Sequence, residues 1–105
     1  MDDQLLPTLD LEDMRANAGE AAELLKTLAN RNRLLVLCSL AEGEASVSEL
    51  NARVELSQPA LSQHLSVLRQ SGIVRTRREA QTIYYSLTES SALALIRTLH
   101  DIYCV

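Results

Sequence analysis

The 105 residues carry 10 Lys and Arg against 14 Asp and Glu, a net charge of −4, with three Tyr and neither Phe nor Trp. That length makes one domain with a modest core, and the lack of large aromatics makes the core aliphatic, which suits helices packed on helices. No apolar run approaches the roughly 20 residues of a membrane span. The acidic start is not a charged-then-apolar leader, so no membrane role is expected and the cytoplasm is the expected compartment.

The net charge opposes nucleic-acid binding only as an average, since phosphates reward basic surfaces locally. Residues 1–25 hold seven acids against one base, Arg15, whereas residues 56–85 hold Arg69, Arg75, Arg77 and Arg78 against the single acid Glu79. The basic charge therefore gathers in the second half of the chain.

Residues 1–9, with Pro7, form an expected N-terminal arm, and residues 10–105 the folded domain. Asp10 is placed to cap a first helix running to about Ala29. Its apolar residues Leu11, Met14, Ala18, Ala21, Leu25 and Leu28 alternate in steps of three and four, suited to packing along another helix. A plain core helix has the same pattern, and Gly19 weakens the helix without ending it. A second helix spans about Arg31 to Ala41, with Leu34, Leu37, Cys38 and Ala41 expected on its inner face, and Gly43 ends it. Ser46 and Glu49 form a capping box that opens a third helix through Val54.

Leu56 and Ser57 make a short turn into a fourth helix, for which Ser57 is a good N-cap and Pro59 a first-turn residue. Leu61, Leu65 and Leu68 form one apolar stripe. Gln58, Ser62, Gln63, Ser66 and Arg69 fall on the opposite face, with the amides, hydroxyls and guanidinium that suit base edges and phosphates. Alone, that face also fits an ordinary surface helix. Two short helices so closely joined are the helix-turn-helix pattern. Gly72 stops the fourth helix.

The period then changes to two. A strand at Ile73–Arg78, a turn at Glu79–Gln81 and a strand at Thr82–Leu87 make a hairpin. Arg75, Arg77 and Arg78 lie on or beside it, placed to straddle a phosphate backbone. Thr88 is expected to cap a last helix from about Glu89 to Tyr103, whose Ala92–Ile96 segment is apolar on nearly every side and invites a partner subunit. The expected fold is mainly α with a small β-hairpin, a winged helix-turn-helix in the order helix, helix, helix-turn-helix, hairpin, helix.

Leu28-Ala29-Asn30-Arg31-Asn32-Arg33, the stretch Leu56–Val74 and the wing ending Tyr84-Tyr85-Ser86-Leu87 together resemble the ArsR/SmtB repressors over about residues 20–104. The resemblance implies a homodimer formed by the first and last helices that presents both reading helices to a near-palindromic operator in double-stranded DNA. It implies DNA-contacting roles for Ser57, Gln58, Ser62, Gln63, His64 and Arg69 on the reading helix, and for Arg77, Arg78, Gln81 and Thr82 in the wing. His64 flanks the leucine stripe, where a packed core histidine is the alternative.

Metal sensors of that family often carry Cys-Val-Cys at the start of the third helix. Here that place reads Ser46-Val47-Ser48, and hydroxyls do not replace thiolates for soft metals. Glu89, His100 and Asp101 on the last helix are too few for a four-ligand zinc site, so neither metal nor cofactor is expected. The remaining chemistry is Cys38 and Cys104. Cys38 fits a small buried hydrophobe, while Cys104, one residue from the end, favours reactivity. No Cys-x-x-Cys marks a thiol oxidoreductase, and no nucleophile motif surrounds either His, so an enzyme is not expected. One Cys in the second helix and one at the end of the last, with a wing turn Glu79-Ala80-Gln81 lacking glycine, resemble the persulfide-sensing branch of the family (BigR-, SqrR- and HlyU-like regulators). The resemblance implies a Cys38–Cys104 sensor dithiol that low-molecular-weight persulfides convert into a di- or polysulfide bridge. A metal-sensing repressor, a general thiol-oxidation sensor and a DNA-binding protein with purely structural cysteines remain the alternatives.

Overall fold

The leucine stripe of the reading helix is where the fold closes. In a computed structural model that describes residues 11–104, Leu61, Leu65 and Leu68 are almost fully buried, together with Val36, Leu37, Leu50 and Ile96. The elements in chain order are α1 (Leu11–Leu28), α2 (Arg31–Ala41), β1 (Ala45–Ser46), α3 (Val47–Val54), α4 (Gln58–Gln70), β2 (Val74–Glu79), β3 (Thr82–Leu87) and α5 (Ser91–Tyr103). This is a winged helix-turn-helix: five helices and a small antiparallel sheet in the order β1-β3-β2. The N-terminal arm and the Asp10 cap lie outside the described residues. No helix among the described residues is long and apolar enough to cross a membrane.

Local chemistry sets most of the boundaries. Asn30 Oδ1 accepts from the backbone N–H groups of Asn32 (2.9 Å) and Arg33 (3.1 Å) to start α2. The α3 capping box is complete: the Glu49 N–H donates to Ser46 Oγ (3.2 Å) and the Ser46 N–H to Glu49 Oε1 (2.8 Å). Glu55 ends α3 in the left-handed region (φ 55°), leaving Leu56 and Ser57 to turn the chain into α4. Ser57 Oγ accepts from the Ala60 N–H at 3.3 Å. At the far end of α4 the Ile73 N–H reaches the Leu68 carbonyl and the Gly72 N–H the Arg69 carbonyl, both at 3.0 Å. With Gly72 at φ 77° and Leu68 and Ile73 both buried, this is a Schellman stop with its hydrophobic contact.

Four details differ from the sequence expectations. Strand β1 pairs Ala45 with Tyr85 and Ser46 with Tyr84; two residues are too short to show a period, and only the tertiary pairing creates it. Strand β2 begins at Val74, because Ile73 is taken up by the α4 stop. Thr88 does not cap α5: its Oγ1 donates to the carbonyls of Gly72 (2.7 Å) and Ile73 (3.0 Å), tying the end of the wing to the end of α4. Ser90 takes the N-cap position without a side-chain bond. In α2 the buried residues are Val36, Leu37 and Leu40, while Leu34 and Cys38 are half-buried and Ala41 is exposed. Residues 34–38 of α2 are apolar without a break, so the pattern there does not choose an inner face.

Helix α1 stands away from this core. Of its residues only Leu28 is buried, and Leu11 and Leu25 remain 66% and 57% exposed. The radius of gyration is 16.0 Å, against about 13 Å for a compact chain of about 100 residues. Helix α5 buries Ala92 and Ile96 but leaves Ile102 59% exposed.

Two substitutions test this packing by denaturant unfolding. Leu65→Ala, in the middle of the stripe, is expected to cost about 2–5 kcal/mol. Ser46→Ala, which removes the α3 cap, is expected to cost about 1 kcal/mol.

Candidate DNA interface and thiol pair

The leucine stripe holds α4 from behind and leaves its other face in solvent. Gln58, Ser62, Gln63, Ser66 and Arg69 are all exposed on that face, as is Ser57 at the cap. These groups supply donors and acceptors without a net charge of their own beyond Arg69, which suits base edges read by a helix in a major groove. His64 is different. It is half-buried, and its Nδ1 is enclosed with no hydrogen-bond partner among the described residues. It borders the reading face and is neither fully presented by it nor hydrogen-bonded through Nδ1 in the core.

The wing arginines fall on two faces of the sheet. In the β2–β3 ladder Arg75 pairs with Ser86, Arg77 with Tyr84 and Arg78 with Ile83. Alternation puts Val74, Thr76 and Arg78 on the face that carries Leu87 and Tyr85 toward the core, and Arg75, Arg77 and Glu79 on the opposite face. Arg78 extends from the hairpin end, exposed, with no ion pair or hydrogen bond among the described residues. Gln81 and Thr82 are exposed at the tip, where Ala80 turns the chain at φ 57°.

Arg77 is engaged through each of its three guanidinium nitrogens. Its Nε and Nη2 donate to Glu44 Oε2 (2.7 Å) and Oε1 (2.9 Å), and its Nη1 donates to Glu79 Oε1 (2.7 Å). The guanidinium also lies 4.6 Å from the Tyr84 ring centroid. These bonds hold the Glu44 carboxyl below its usual range and raise the guanidinium's hold on its proton. The sequence groups the three arginines as backbone contacts; the geometry gives Arg77 two carboxylate partners instead. Glu44 is the residue that sequence reasoning misses, since it lies 33 positions away with no motif around it.

The two thiols lie on α2 and at the end of α5, helices that pack on each other. Cys38, in the last turn of α2, is half-buried, and Cys104, at the C-cap of α5, is exposed. Burial pushes the Cys38 thiol up, and the neighbouring Cys104 and then Glu42 push it further, so Cys104 lies within electrostatic reach of Cys38. A cleft of about 360 Å³ opens beside Cys38, lined also by Ala41, Glu42, Ile96, Arg97, His100 and Asp101. His100 and Asp101 thus join the thiol region, whereas Glu89 is absent from the cleft lining. No group of three or more His, Cys, Asp and Glu side chains able to hold a metal ion occurs among the described residues.

A helix-turn-helix with an exposed polar reading face, flanked by a basic-tipped hairpin, defines a winged-helix DNA-binding protein. Residues 30–76 match the sequence model described as "Bacterial regulatory protein, arsR family". The transcriptional activator HlyU of Vibrio cholerae is 50% identical over 96 residues, covering 91% of this chain and 89% of that protein. The biofilm growth-associated repressor of Xylella fastidiosa is 49% identical over 104 residues, covering 99% and 91%. The solved structure of reduced HlyU from Vibrio cholerae superposes with a TM-score of 0.84 at 50% identity, covering 90% of this chain and 99% of that one. The chain belongs to the ArsR family of transcriptional regulators.

Thiol labelling follows from the two environments. With iodoacetamide at neutral pH and peptide mapping, Cys104 is expected to be alkylated first. Cys38 should catch up only as pH rises past its ordinary value of about 9.0. Faster labelling of Cys38 at neutral pH would contradict the geometry. The acidic limb is also predictable. Glu49 is held low chiefly by the Ser46 backbone N–H and Glu44 chiefly by Arg77, so their contribution to stability is complete above about 4.5 and is lost as pH falls below it. Glu49→Gln should reduce the stability lost as pH falls below about 4.5, read from denaturant midpoints.

Proposed function

We propose that this ArsR-family regulator is a repressor-type homodimer whose operator binding is switched by persulfides acting on Cys38 and Cys104. The observation that carries this reading is the pairing of an exposed thiol at the end of α5 with a half-buried thiol on α2, close enough to influence its ionisation. The exposed apolar residues of α1 and α5, notably Leu11, Leu25 and Ile102, support the dimer, since such surface in a small domain is an interface in waiting. In the reduced state Ser57, Gln58, Ser62, Gln63 and Arg69, bordered by His64, read a near-palindromic duplex site. Arg78, Gln81 and Thr82 in the wing hold the backbone.

Cys104, exposed, reacts first. Its thiolate attacks the outer sulfur of a low-molecular-weight persulfide, forming Cys104–S–SH and releasing the thiol. A second transfer lengthens the chain by one sulfur. The Cys38 thiolate then attacks the sulfur next to Cys104 Sγ and expels hydrosulfide, closing a bridge with one inserted sulfur. The balance is two protein thiols and two persulfides in, and one trisulfide, two small thiols and one H₂S out. The persulfide is the oxidant: of the two outer sulfurs transferred, one stays in the bridge and the other leaves as sulfide. Because a disulfide requires Cα atoms about 4.4–6.8 Å apart, a longer bridge tolerates a wider gap, and helix spacing selects persulfide over peroxide. The bridge draws α5 against α2 and so changes the angle of the dimer. A coupling of about 1–3 kcal/mol is enough for such a switch.

The test is operator binding by fluorescence anisotropy on a duplex that the reduced protein selects from a random library. Glutathione persulfide is expected to weaken binding by about 5- to 150-fold, while Cys38→Ser binds as tightly as wild type and stays bound after treatment. Release by the Cys38→Ser protein would overturn the dithiol switch. Equal release by hydrogen peroxide would make it a general thiol-oxidation sensor.

A further inference from the structure

The wing presents its arginines to two different tasks. A two-stranded hairpin is at best marginally stable alone, and this one runs beyond the core. Val74 is buried at its base, while Arg77 to Ile83 are exposed except for half-buried cover at Tyr84 and beyond. What holds the outer rungs on the solvent face is the guanidinium of Arg77. It reaches across from β2 to Glu44, which precedes β1, and along its own strand to Glu79, while stacking on Tyr84 of β3. One side chain thereby ties β2 and β3 to the loop that joins α2 to β1.

That cluster is also electrostatically unsuited to phosphate. One cation sits between two carboxylates, so the group carries a net negative charge, and all three guanidinium nitrogens already donate. A phosphate oxygen approaching Arg77 would meet the repulsion of two carboxylates that already share its charge. Arg78, on the other face of the same strand, has no such competitor among the described residues.

We propose that Arg77 is a positioning residue for DNA binding: clamped by Glu44 and Glu79, it sets the wing against the body, and the wing's phosphate contact is made by Arg78. The inference rests on the DNA-binding role of the wing and is independent of the thiol switch. It has a counter-intuitive consequence. Removing the negative charge of Glu44 weakens DNA binding, although removing an acid near DNA ordinarily strengthens it.

The experiment compares wild type, Glu44→Gln, Arg77→Gln, the Glu44→Gln/Arg77→Gln double variant and Arg78→Gln, all reduced, on the duplex selected by the wild-type protein. Affinity is measured across a range of salt concentrations, so that wild-type binding tests the role of the fold and the ratios between variants test the clamp. Glu44→Gln and Arg77→Gln are each expected to lower affinity by about two- to fivefold with the salt slope unchanged. The double variant should be no worse than either single one, because both break the same interaction. Arg78→Gln should flatten the slope by about 0.9 for each phosphate it no longer neutralises. In the DNA-free protein, Glu44→Gln should also speed amide exchange in β2 and β3. Tighter binding by Glu44→Gln, or a salt slope flattened by Arg77→Gln as much as by Arg78→Gln, would overturn the assignment and make Arg77 a phosphate contact restrained by Glu44.

Discussion

Burial of one leucine stripe is the constraint on which the rest of the structure depends. Leu61, Leu65 and Leu68 leave water in one buried cluster with Val36, Leu37, Leu50 and Ile96, where α4 packs on α2, α3 and β2. At about 25 cal/mol per Å² of apolar surface, that burial is the main force available to a domain with no Phe and no Trp. It fixes the roll of α4 about its own axis, and the roll decides which side chains face out. The same cluster includes Ile96 of α5, which packs on α2, so the core that orients α4 also sets the two cysteine-bearing helices side by side. In the proposed switch, a displacement between α2 and α5 reaches α4 through α2, on which both pack.

The thiol pair is asymmetric in a way that gives each cysteine a distinct part. Cys104 ends a helix at the surface, where a small reagent can approach it. Cys38 is half-buried and its proton is held more firmly, chiefly by desolvation and then by its neighbours. In the proposed switch the surface thiol captures the reagent and the sheltered one closes the bridge between α2 and α5. Helix α2 continues through Glu42 and Gly43 into Glu44, whose carboxylate binds Arg77 of the wing. The proposed sensing region and the wing are therefore linked along the chain.

Much of this was legible in the order of residues, and the reasons are physical. The boundaries of α2, α3 and α4 rest on side chains that bond the backbone within three residues, as Asn30, Ser46, Glu49 and Ser57 do, so a local reading finds them. The stop at Gly72 is equally local. What escaped depends on contacts between distant segments. Strand β1 exists because Tyr84 and Tyr85 come to it. Thr88 has the chemistry of an N-cap yet directs its hydroxyl to Gly72 and Ile73. Arg75, Arg77 and Arg78 look alike in sequence, and only the strand register and Glu44 separate them. His64 illustrates a limit of the helical wheel: a residue at the edge of the apolar stripe is partly enclosed, and the wheel does not show what encloses it.

The most direct test of the dithiol switch is mass spectrometry of the reduced protein after glutathione persulfide, on the intact chain and then on its peptides. One intramolecular product is expected, in which the peptides bearing Cys38 and Cys104 are joined through at least one added sulfur. Sulfur added to Cys104 without a link to Cys38, or no change in mass, would contradict the dithiol switch.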